Sequence, residues 1–444
     1  MRISVIGTGY VGLVSGVCFA EIGHDCICVD VDAAKVARIN AGDPPIHENG
    51  LAPLLQRLAG NRVKATTDLR AAVLATDVTF IAVGTPFDGK QIDLTYIREA
   101  ARQIGVALRE KNSYHVVVVK STVVPGTTDK VVLPILEEAS GKRAGADFGV
   151  GMNPEFLTEG AAIDDFMKPD RIVIGGNDER AIAVQREVYA SFAGVPVMVT
   201  NNSTAEMIKY TSNSVLATMI SFSNEIGNVC AALGDIDVAD VMRGVHLARY
   251  FNIKLEDGRR LKAPITSFLW AGCGYGGSCL PKDTKALSAH GAAHGRSMPL
   301  LDAVIHTNLG QPAELIKIVE KHFRELRGLR VAVLGLAFKE DTDDMRESVA
   351  IPVVSMLHAR GAQIIAFDPI SNSVATRLLP GDIQFAESLE TAIAHVDVAV
   401  LLTRWQGFER LPTLLSAMQS PPLLVDGRRF LNPAEIPRYD GIGR

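Results

Sequence analysis

The sequence predicts an α/β protein in which two doubly wound domains are joined by a long central helix and a helical segment. Three observations support this architecture. Short apolar, β-branched runs alternate with helical stretches in the N-terminal part of the chain, the same alternation returns near the C-terminus, and a helix-like segment of about 30 residues separates them. At roughly 150 residues per domain, a chain of 444 residues allows about three domains.

The N-terminal part, from Arg2 to about Thr200, contains five predicted strands. They are the runs RISVI, CICV, VTFIAV, HVVVV and RIVI, which read as buried strands of a parallel sheet with helices on both faces. The stretch from Ile3 to Ala20 has no charged residue and could pass for a signal peptide. Because it contains four glycines and continues into the second strand, we assign it to the fold.

The central segment opens with Asn201-Asn202-Ser203 and Glu206, a capping-box signature for a long helix. Residues 250–278 are rich in Gly, Pro and basic residues, and helical character is expected to resume after Pro281. Beyond Gly328, the runs RVAVLG, QIIAF, VDVAVLL and LLVDG predict a second set of strands. The predicted domains are residues 1–200, 201–305 and 306–444, with the middle domain helical and dimer-forming.

Composition narrows the class of partner. The chain has 45 Lys and Arg against 50 Asp and Glu, a net charge of −5, and no long block of either sign, which argues against nucleic-acid or membrane partners. The six cysteines are too sparse for a disulfide scaffold and form no CxxC pair, so we expect reduced thiols, no metal site and a cytoplasmic protein. Four of them lie in apolar patterns and are expected to be core residues: Cys18, Cys26, Cys28 and Cys230.

A glycine-rich turn near the N-terminus indicates a dinucleotide site. Gly7, Gly9 and Gly12 form a GxGxxG pattern between the first predicted strand and a helix, where they permit a tight turn and close approach of a pyrophosphate. Asp30 ends the second strand 18 residues after Gly12, where a carboxylate can bind ribose hydroxyls and repels a 2′-phosphate. The pattern predicts a Rossmann-like domain that binds NAD rather than NADP.

The strongest chemical signal is the run GYGGSCLPKD at residues 274–283. Pro281 suits the first turn of a helix, which places Cys279 just before the helix N-terminus with Lys282 close by. Both features lower the pKa of a thiol and favour the nucleophilic thiolate. The glycines are expected to leave the sulfur accessible, so Cys279 is the candidate nucleophile.

Seven motifs together resemble those of the nucleotide-sugar dehydrogenases, the family of the UDP-glucose 6-dehydrogenases, and follow one another in that family's order. They are VIGTGYVGLV, VGTP at 83–86, KSTVVPGTT at 120–128, NPEFLTEG at 153–160, EMIKYTSN at 206–213, GYGGSCLPKD and AFKEDTDDMRES at 337–348. The resemblance spans nearly the whole chain. It implies oxidation of the C6 alcohol of a nucleotide sugar to a carboxylate with two NAD⁺ and one water, through a cysteine thiohemiacetal and thioester.

The resemblance also implies roles for catalytic residues. Cys279 matches the nucleophile, and Lys209 and Asn213, four residues apart on one helical face, match groups that stabilise an oxyanion. Asp283, placed near Cys279 on its helix, would orient a catalytic water or Lys209. The remaining catalytic candidates, expected to activate the water that hydrolyses the thioester, are Glu155 and Thr122.

Binding residues follow from the same resemblance. The expected cofactor contacts are Gly7, Gly9, Val11, Gly12, Asp30, Lys35, Thr85, Thr122, Glu159, Lys282 and Arg346. The expected substrate contacts are Glu155, Phe156, Leu157, Thr158, Glu159, Lys209, Asn213, Phe268, Leu269, Trp270, Ala271, Gly272, Gly276 and Lys339. The C-terminal domain is expected to bind the nucleotide diphosphate, and the central helix to form a homodimer.

One departure leaves the sugar nucleotide open. Family members carry an Arg-Ile-Gly run shortly before the Phe-Leu of the substrate loop, whereas here the stretch before Phe268 reads KAPITS and residues 250–261 resemble an insertion. Arg259, Arg260 or Lys262 could substitute for that arginine. UDP-glucose is the first expectation, and similarity to GDP-mannose 6-dehydrogenase in the motifs around Glu155 and Lys209 keeps GDP-mannose as the alternative.

Two other functions are compatible with the fold alone. A two-electron NAD-dependent hydroxyacid dehydrogenase of similar build needs no nucleophilic thiol, so the GSCLPKD run argues against it. A nucleotide-sensing protein without turnover is the second alternative, and the joint presence of Cys279, Lys209, Asn213 and Asp283 argues against that reading.

Overall fold

The computed structural model describes residues 1–444 and divides into two compact units, Met1–Ser212 and Asn213–Arg444. An eight-stranded sheet forms the centre of the first unit, in the order β3-β2-β1-β4-β5-β6-β7-β8. Its strands are β1 (Arg2–Ile6), β2 (Asp25–Val29), β3 (Val63–Thr66), β4 (Val78–Ile81), β5 (Val116–Val119), β6 (Gly149–Met152), β7 (Ile172–Gly176) and β8 (Val197–Thr200). Its helices are α1 (Tyr10–Glu21), α2 (Ala33–Asn40), α3 (Leu51–Leu58), α4 (Leu69–Ala75), α5 (Thr95–Glu110), α6 (Leu133–Ser140), α7 (Ala162–Met167) and α8 (Glu179–Val188), with a π-helical turn at Thr128–Val132.

The sheet is buried on both faces, as its apolar strands predict. In β5, Val116 and Val118 join one hydrophobic core while Val117 and Val119 join another on the opposite face. All neighbouring strands are parallel except β6 and β7, which pair antiparallel through Gly151 and its partner in β7. The apolar pattern predicts burial and carries no information on strand direction, so this reversal was not predictable from it. The uncharged stretch from Ile3 to Ala20 forms β1 and α1 of this domain.

Helix α9 (Asn202–Leu233) has 32 residues and begins in the first unit. Its start differs from the predicted capping box. The cap contact comes from Asn201, whose Oδ1 accepts the Thr204 N–H at 2.8 Å. Glu206 instead turns away from the helix terminus and binds the segment around Gly126. Three carboxylate contacts there replace the single capping bond that the sequence signature suggested.

The second unit contains a six-stranded, all-parallel sheet in the order β13-β12-β11-β14-β15-β16, and a separate antiparallel hairpin. The hairpin is β9 (Asn252–Lys254) and β10 (Arg260–Lys262); the sheet strands are β11 (Arg330–Leu334), β12 (Gln363–Phe367), β13 (Gln384–Phe385), β14 (Val398–Leu401), β15 (Leu423–Asp426) and β16 (Tyr439–Gly441). The helices are α10 (Val238–His246), α11 (Leu280–Ala293), α12 (Pro299–His322), α13 (Ala350–Ala359), α14 (Asn372–Ala375), α15 (Leu389–Ile393) and α16 (Leu411–Ser416), with 3₁₀ turns at Pro264–Ser267, Gln406–Arg410 and Pro433–Glu435. No helix of the chain combines the length and apolarity needed to span a membrane.

Candidate active site

The glycine-rich turn after β1 has the geometry that a dinucleotide requires. Gly7 has φ +97°, and a Cβ there would lie 2.7 Å from the Ala82 carbonyl oxygen. A Cβ on Gly12 would lie 1.9 Å from the Gly7 carbonyl oxygen, so α1 approaches the turn as closely as only glycine permits. A Cβ on Gly9, which caps α1, would meet nothing within 4 Å, and Val11 follows in the first helical turn. The open space over the helix N-terminus fits a pyrophosphate.

Asp30 follows β2 directly and presents an ionised carboxylate. It accepts hydrogen bonds from the Thr8 hydroxyl at 2.5 Å and from the Thr8 and Asp32 N–H groups at 3.0 Å each. Partial burial alone would raise the pKa of Asp30, but these bonds and the charge of Lys35 hold it below its usual value. A fixed negative charge at the end of β2 fits a ribose diol and disfavours a phosphate on that sugar.

Thr85 and Thr122 lie beyond the carboxyl ends of β4 and β5, where α/β sheets bind ligands. The Thr85 hydroxyl donates to the Thr122 carbonyl oxygen at 2.7 Å. The Ser121 hydroxyl donates to the Val83 carbonyl oxygen at 2.7 Å. These two bonds join the loops that follow neighbouring strands and fix the position of Thr122.

Glu155 and Lys209 form an ion pair in the first unit. Their oxygen and nitrogen are 2.8 Å apart, and each side chain is 4% exposed. The second Glu155 oxygen accepts the Leu157 N–H at 2.7 Å. Burial alone would raise the pKa of Glu155, but Lys209, the Leu157 N–H and the nearby Lys120 together lower it. These contacts therefore favour the ionised form of Glu155.

Lys120 is a buried cation beside this pair to which the sequence analysis assigned no role. Its ammonium donates to Asn153 Oδ1 at 2.8 Å, and the Tyr189 hydroxyl donates to the same oxygen at 2.5 Å. Burial lowers the pKa of Lys120 to about 8, against the opposing attraction of Glu155. The available signal was a lysine directly after the all-valine strand β5, at the edge of the sheet where ligands bind.

The remaining residues of the NPEFLTEG loop line or flank a pocket of about 90 Å³. Phe156 lies in its wall with the Arg171 guanidinium 3.9 Å from the ring centroid, a second contact that the sequence analysis missed. The Thr158 N–H donates to Asp165 at 2.8 Å, and Glu159 is half-buried near the end of the loop. The structure thus brings Phe156 and Leu157 together with Glu155 around one pocket.

In the second unit, Cys279 is the N-cap residue of α11, as the sequence predicts, and Pro281 lies in the first turn of that helix. It is the one cysteine of the chain that is not buried. Its sulfur lies 3.6 Å from the Ser278 hydroxyl. The four cysteines predicted to be core residues are confirmed as buried. Burial raises the pKa of Cys18 and of Cys28 to about 12. Those thiols are held in the unreactive protonated form.

The glycines before Cys279 have a packing role that the sequence did not reveal. A Cβ on Gly276 would lie 2.2 Å from the Glu347 carbonyl oxygen, and one on Gly277 would lie 2.7 Å from the Phe338 ring. The Gly277 N–H also donates to the Arg346 carbonyl oxygen at 2.9 Å. These contacts hold the cysteine loop against the segment that follows β11.

Asp283 connects α11 to α9 within the second unit. Its carboxylate is fully buried and accepts the Asn213 amide at 2.6 Å and the Lys282 ammonium at 2.5 Å. One N–H of the Asn213 amide is therefore committed to Asp283 and the second is left for another acceptor. Lys209 lies one turn before Asn213 on α9, as the spacing predicts.

Several side chains of the predicted substrate loop are buried in the fold. Leu269 and Ala271 have buried side chains in the hydrophobic core of the second unit, and Trp270 packs against that core. The Gly272 N–H donates to Asn224 at 2.8 Å, while Phe268 ends the preceding 3₁₀ turn. The half-buried side chains of this loop are those of Phe268 and Trp270.

The segment that resembles an insertion forms the exposed β9–β10 hairpin, and the stretch in which the family arginine is unmatched continues from it into the 3₁₀ turn Pro264–Ser267. Arg259 pairs with Asp257 at 2.6 Å, and Arg260 and Lys262 are exposed on β10. Beyond β11, Lys339 is half-buried and the Arg346 guanidinium pairs with Asp344 at 2.6 Å.

Comparison with known proteins identifies all three regions of the chain. The UDP-glucose/GDP-mannose dehydrogenase family matches through its NAD binding domain at residues 1–193, its central domain at 203–309 and its UDP binding domain at 332–433. The UDP-glucose 6-dehydrogenase of Haloferax volcanii is 43% identical over 447 residues, covering 100% of both chains. The GDP-mannose 6-dehydrogenase of Azotobacter vinelandii is 39% identical over 93% of each chain.

Solved structures agree with this relationship. A UDP-glucose dehydrogenase from Pyrobaculum islandicum has a TM-score of 0.90 and 38% identity, covering 100% of this chain and 97% of that one. The chain belongs to the UDP-glucose/GDP-mannose dehydrogenase family and is an NAD-dependent nucleotide-sugar dehydrogenase.

Proposed function

We propose that the protein oxidises the C6 hydroxyl of UDP-glucose by four electrons to give UDP-glucuronate. The observation that carries this proposal is that Cys279 lies at the N-terminus of α11 and is partly exposed to solvent. A helix N-terminus stabilises the thiolate over the thiol, and a thiolate is required only if an aldehyde is captured covalently. A dehydrogenase that stopped at the aldehyde would have no use for it.

The overall reaction consumes one alcohol, two NAD⁺ and one water and yields one carboxylate, two NADH and three protons. NAD⁺, when bound, accepts a hydride from the sugar carbon in each of the two oxidations. Cys279 adds to the aldehyde through a new C–S bond to form a thiohemiacetal. The second oxidation converts that adduct to a thioester, and water then breaks the C–S bond and releases the carboxylate and the thiolate.

We assign supporting roles to the polar residues described above. Lys209 and the second N–H of Asn213 stabilise negative charge on the sugar oxygen as it develops. Glu155 and Thr122 activate the hydrolytic water, and Asp283 holds the Asn213 amide in a fixed orientation. Two buried cations near Glu155 keep it ionised until a proton must be accepted.

The choice of sugar nucleotide is the part of the proposal with a specific alternative. GDP-mannose is supported by the 39% identical GDP-mannose 6-dehydrogenase, and the unmatched family arginine leaves the choice open. Initial rates of NADH formation with UDP-glucose, GDP-mannose and UDP-N-acetyl sugars distinguish these substrates. We expect the highest kcat/KM with UDP-glucose, and a higher value with GDP-mannose would overturn the assignment.

We further propose a cytoplasmic homodimer, with the nucleotide diphosphate bound by the C-terminal domain at residues 306–444. Support for the dimer comes from α9, where Val215, Phe222 and Val229 recur every seven residues and are 45 to 54% exposed. An apolar stripe of this kind on a long helix suits a helix–helix contact with a second copy. Support for the location comes from six free cysteines, of which five are buried thiols.

A further inference from the structure

The loop that carries Thr122 continues into a tight turn whose far end is held by α9. The turn spans Val124–Thr127, with the Thr127 N–H donating to the Val124 carbonyl oxygen at 3.1 Å. Pro125 and Gly126, with φ +93° at the glycine, occupy its two central positions, the sequence pattern of a type II turn. This geometry directs the next N–H groups toward α9.

Glu206, on the first turns of α9, meets those N–H groups. Its carboxylate accepts the Gly126 N–H at 2.5 Å, the Thr128 N–H at 2.8 Å and the Thr128 hydroxyl at 2.7 Å. Gly126, Thr128 and Glu206 are all buried. Burial raises the pKa of Glu206 to about 7, and the three donors oppose that shift. Above this pH the ionised carboxylate accepts all three as charge-assisted bonds.

Glu206 lies three residues before Lys209, on the same side of α9. One short stretch of helix therefore binds the Thr122 loop through Glu206 and the carboxylate of Glu155 through Lys209. On its other side, the Thr122 carbonyl is held by the Thr85 hydroxyl. The position of Thr122 relative to Lys209 is thus determined from two directions.

We propose that Glu206 is a positioning residue, which sets Thr122 at its working distance from the Lys209–Glu155 pair by clamping the Val124–Thr127 turn and the adjoining Thr128 to α9. The inference rests on the proposed function because it gives Thr122 a part in the hydrolytic step. It predicts an effect on turnover that is separable from the effect on folding.

The test compares isosteric removal of two buried hydroxyls in the same unit. Thr128→Val deletes one bond to Glu206, whereas the control Thr79→Val deletes bonds to Ser4 and His115 in the interior of the sheet. At pH 8, where Glu206 is mostly ionised, we expect Thr128→Val to lower kcat for nucleotide-sugar oxidation about tenfold, the effect of one charge-assisted bond, with KM for the sugar changed by less than about twofold. Thr128→Ser, which keeps the hydroxyl, restores kcat, and Thr79→Val leaves kcat unchanged while lowering the melting temperature.

Glu206→Gln extends the series, because an amide cannot accept all three bonds. We expect a fall in kcat on the order of 10²-fold. Wild-type kcat in Thr128→Val, or an equal fall in Thr79→Val, would overturn the positioning role while leaving the proposed function intact. A wild-type protein that oxidises no nucleotide sugar would refute the proposed function itself.

Discussion

Replacement of Asp30 by asparagine tests how the end of β2 selects the cofactor. The change removes one negative charge but keeps an oxygen that can accept the hydrogen bond from Thr8, so the glycine turn should retain its shape. Because the pKa of Asp30 is held below its usual value, the wild-type carboxylate is fully charged at pH 7. We expect Asp30→Asn to relax the preference for NAD⁺ over NADP⁺.

The size of the effect follows from Coulomb's law. A carboxylate and a 2′-phosphate about 5 Å apart repel by about 3 kcal/mol at an effective dielectric constant of about 20. Salt and the nearby ammonium of Lys35, which also acts on Asp30, reduce this value. The remaining ~1–3 kcal/mol corresponds to about 5- to 150-fold in kcat/KM.

The assay measures initial rates with NAD⁺ and NADP⁺ at saturating sugar nucleotide for wild type and Asp30→Asn. Asp77→Asn is the matched control, since it removes a charge in the same domain before β4, where Asp77 pairs with Arg2. We expect the ratio of the two kcat/KM values to fall in Asp30→Asn and to stay constant in Asp77→Asn. Equal kcat/KM values for both cofactors in the wild type, or an unchanged ratio in Asp30→Asn, would refute this reading of the carboxylate.

Three further predictions concern catalysis, assembly and pH. Cys279→Ala should lower turnover by about 10³-fold, which corresponds to about 4 kcal/mol of barrier, and calorimetry should show that NAD⁺ binding is retained. Cys279→Ser should accumulate a slowly hydrolysed sugar ester that mass spectrometry detects. Phe222→Glu should shift the mass in sedimentation equilibrium from dimer to monomer, and an unchanged mass would exclude the α9 contact. Burial lowers the pKa of His115 to about 3, so as pH falls below about 6.5 the unfolded chain binds a proton that the folded chain does not. The free energy of unfolding from urea titrations should therefore decrease toward low pH, by up to about 1.4 kcal/mol per pH unit more in wild type than in His115→Gln, and equal slopes would contradict the assignment.

Much of the fold could be predicted because apolar runs and turn residues report burial directly. Strands β1, β2, β4, β5 and β7 coincide with such runs. Strands β3 and β8 were missed because VKAT and VMVT are partly exposed, and β6 because its sequence, GVGM, is half glycine. Apolar patterns report buried side chains, so partly exposed or glycine-rich strands escape them.

The candidate site likewise contains some residues that the sequence predicts and others that it does not. Cys279 and Asp30 were predictable because their positions depend on local geometry, the start of a helix and the end of a strand. The contacts of Lys120 and Glu206 depend on residues 33 or more positions away in sequence and could not be inferred from spacing. The capping-box prediction failed for that reason, since a distant turn offers Glu206 more donors than the helix terminus does.

The stoichiometry of NADH formation tests the central claim most directly. A limiting amount of UDP-glucose is converted to completion with excess NAD⁺, and NADH is measured by absorbance while the sugar product is identified by mass spectrometry. Covalent capture by Cys279 predicts two NADH per sugar, a carboxylate product and no free aldehyde. One NADH per sugar with release of the aldehyde would contradict the account and identify a two-electron dehydrogenase.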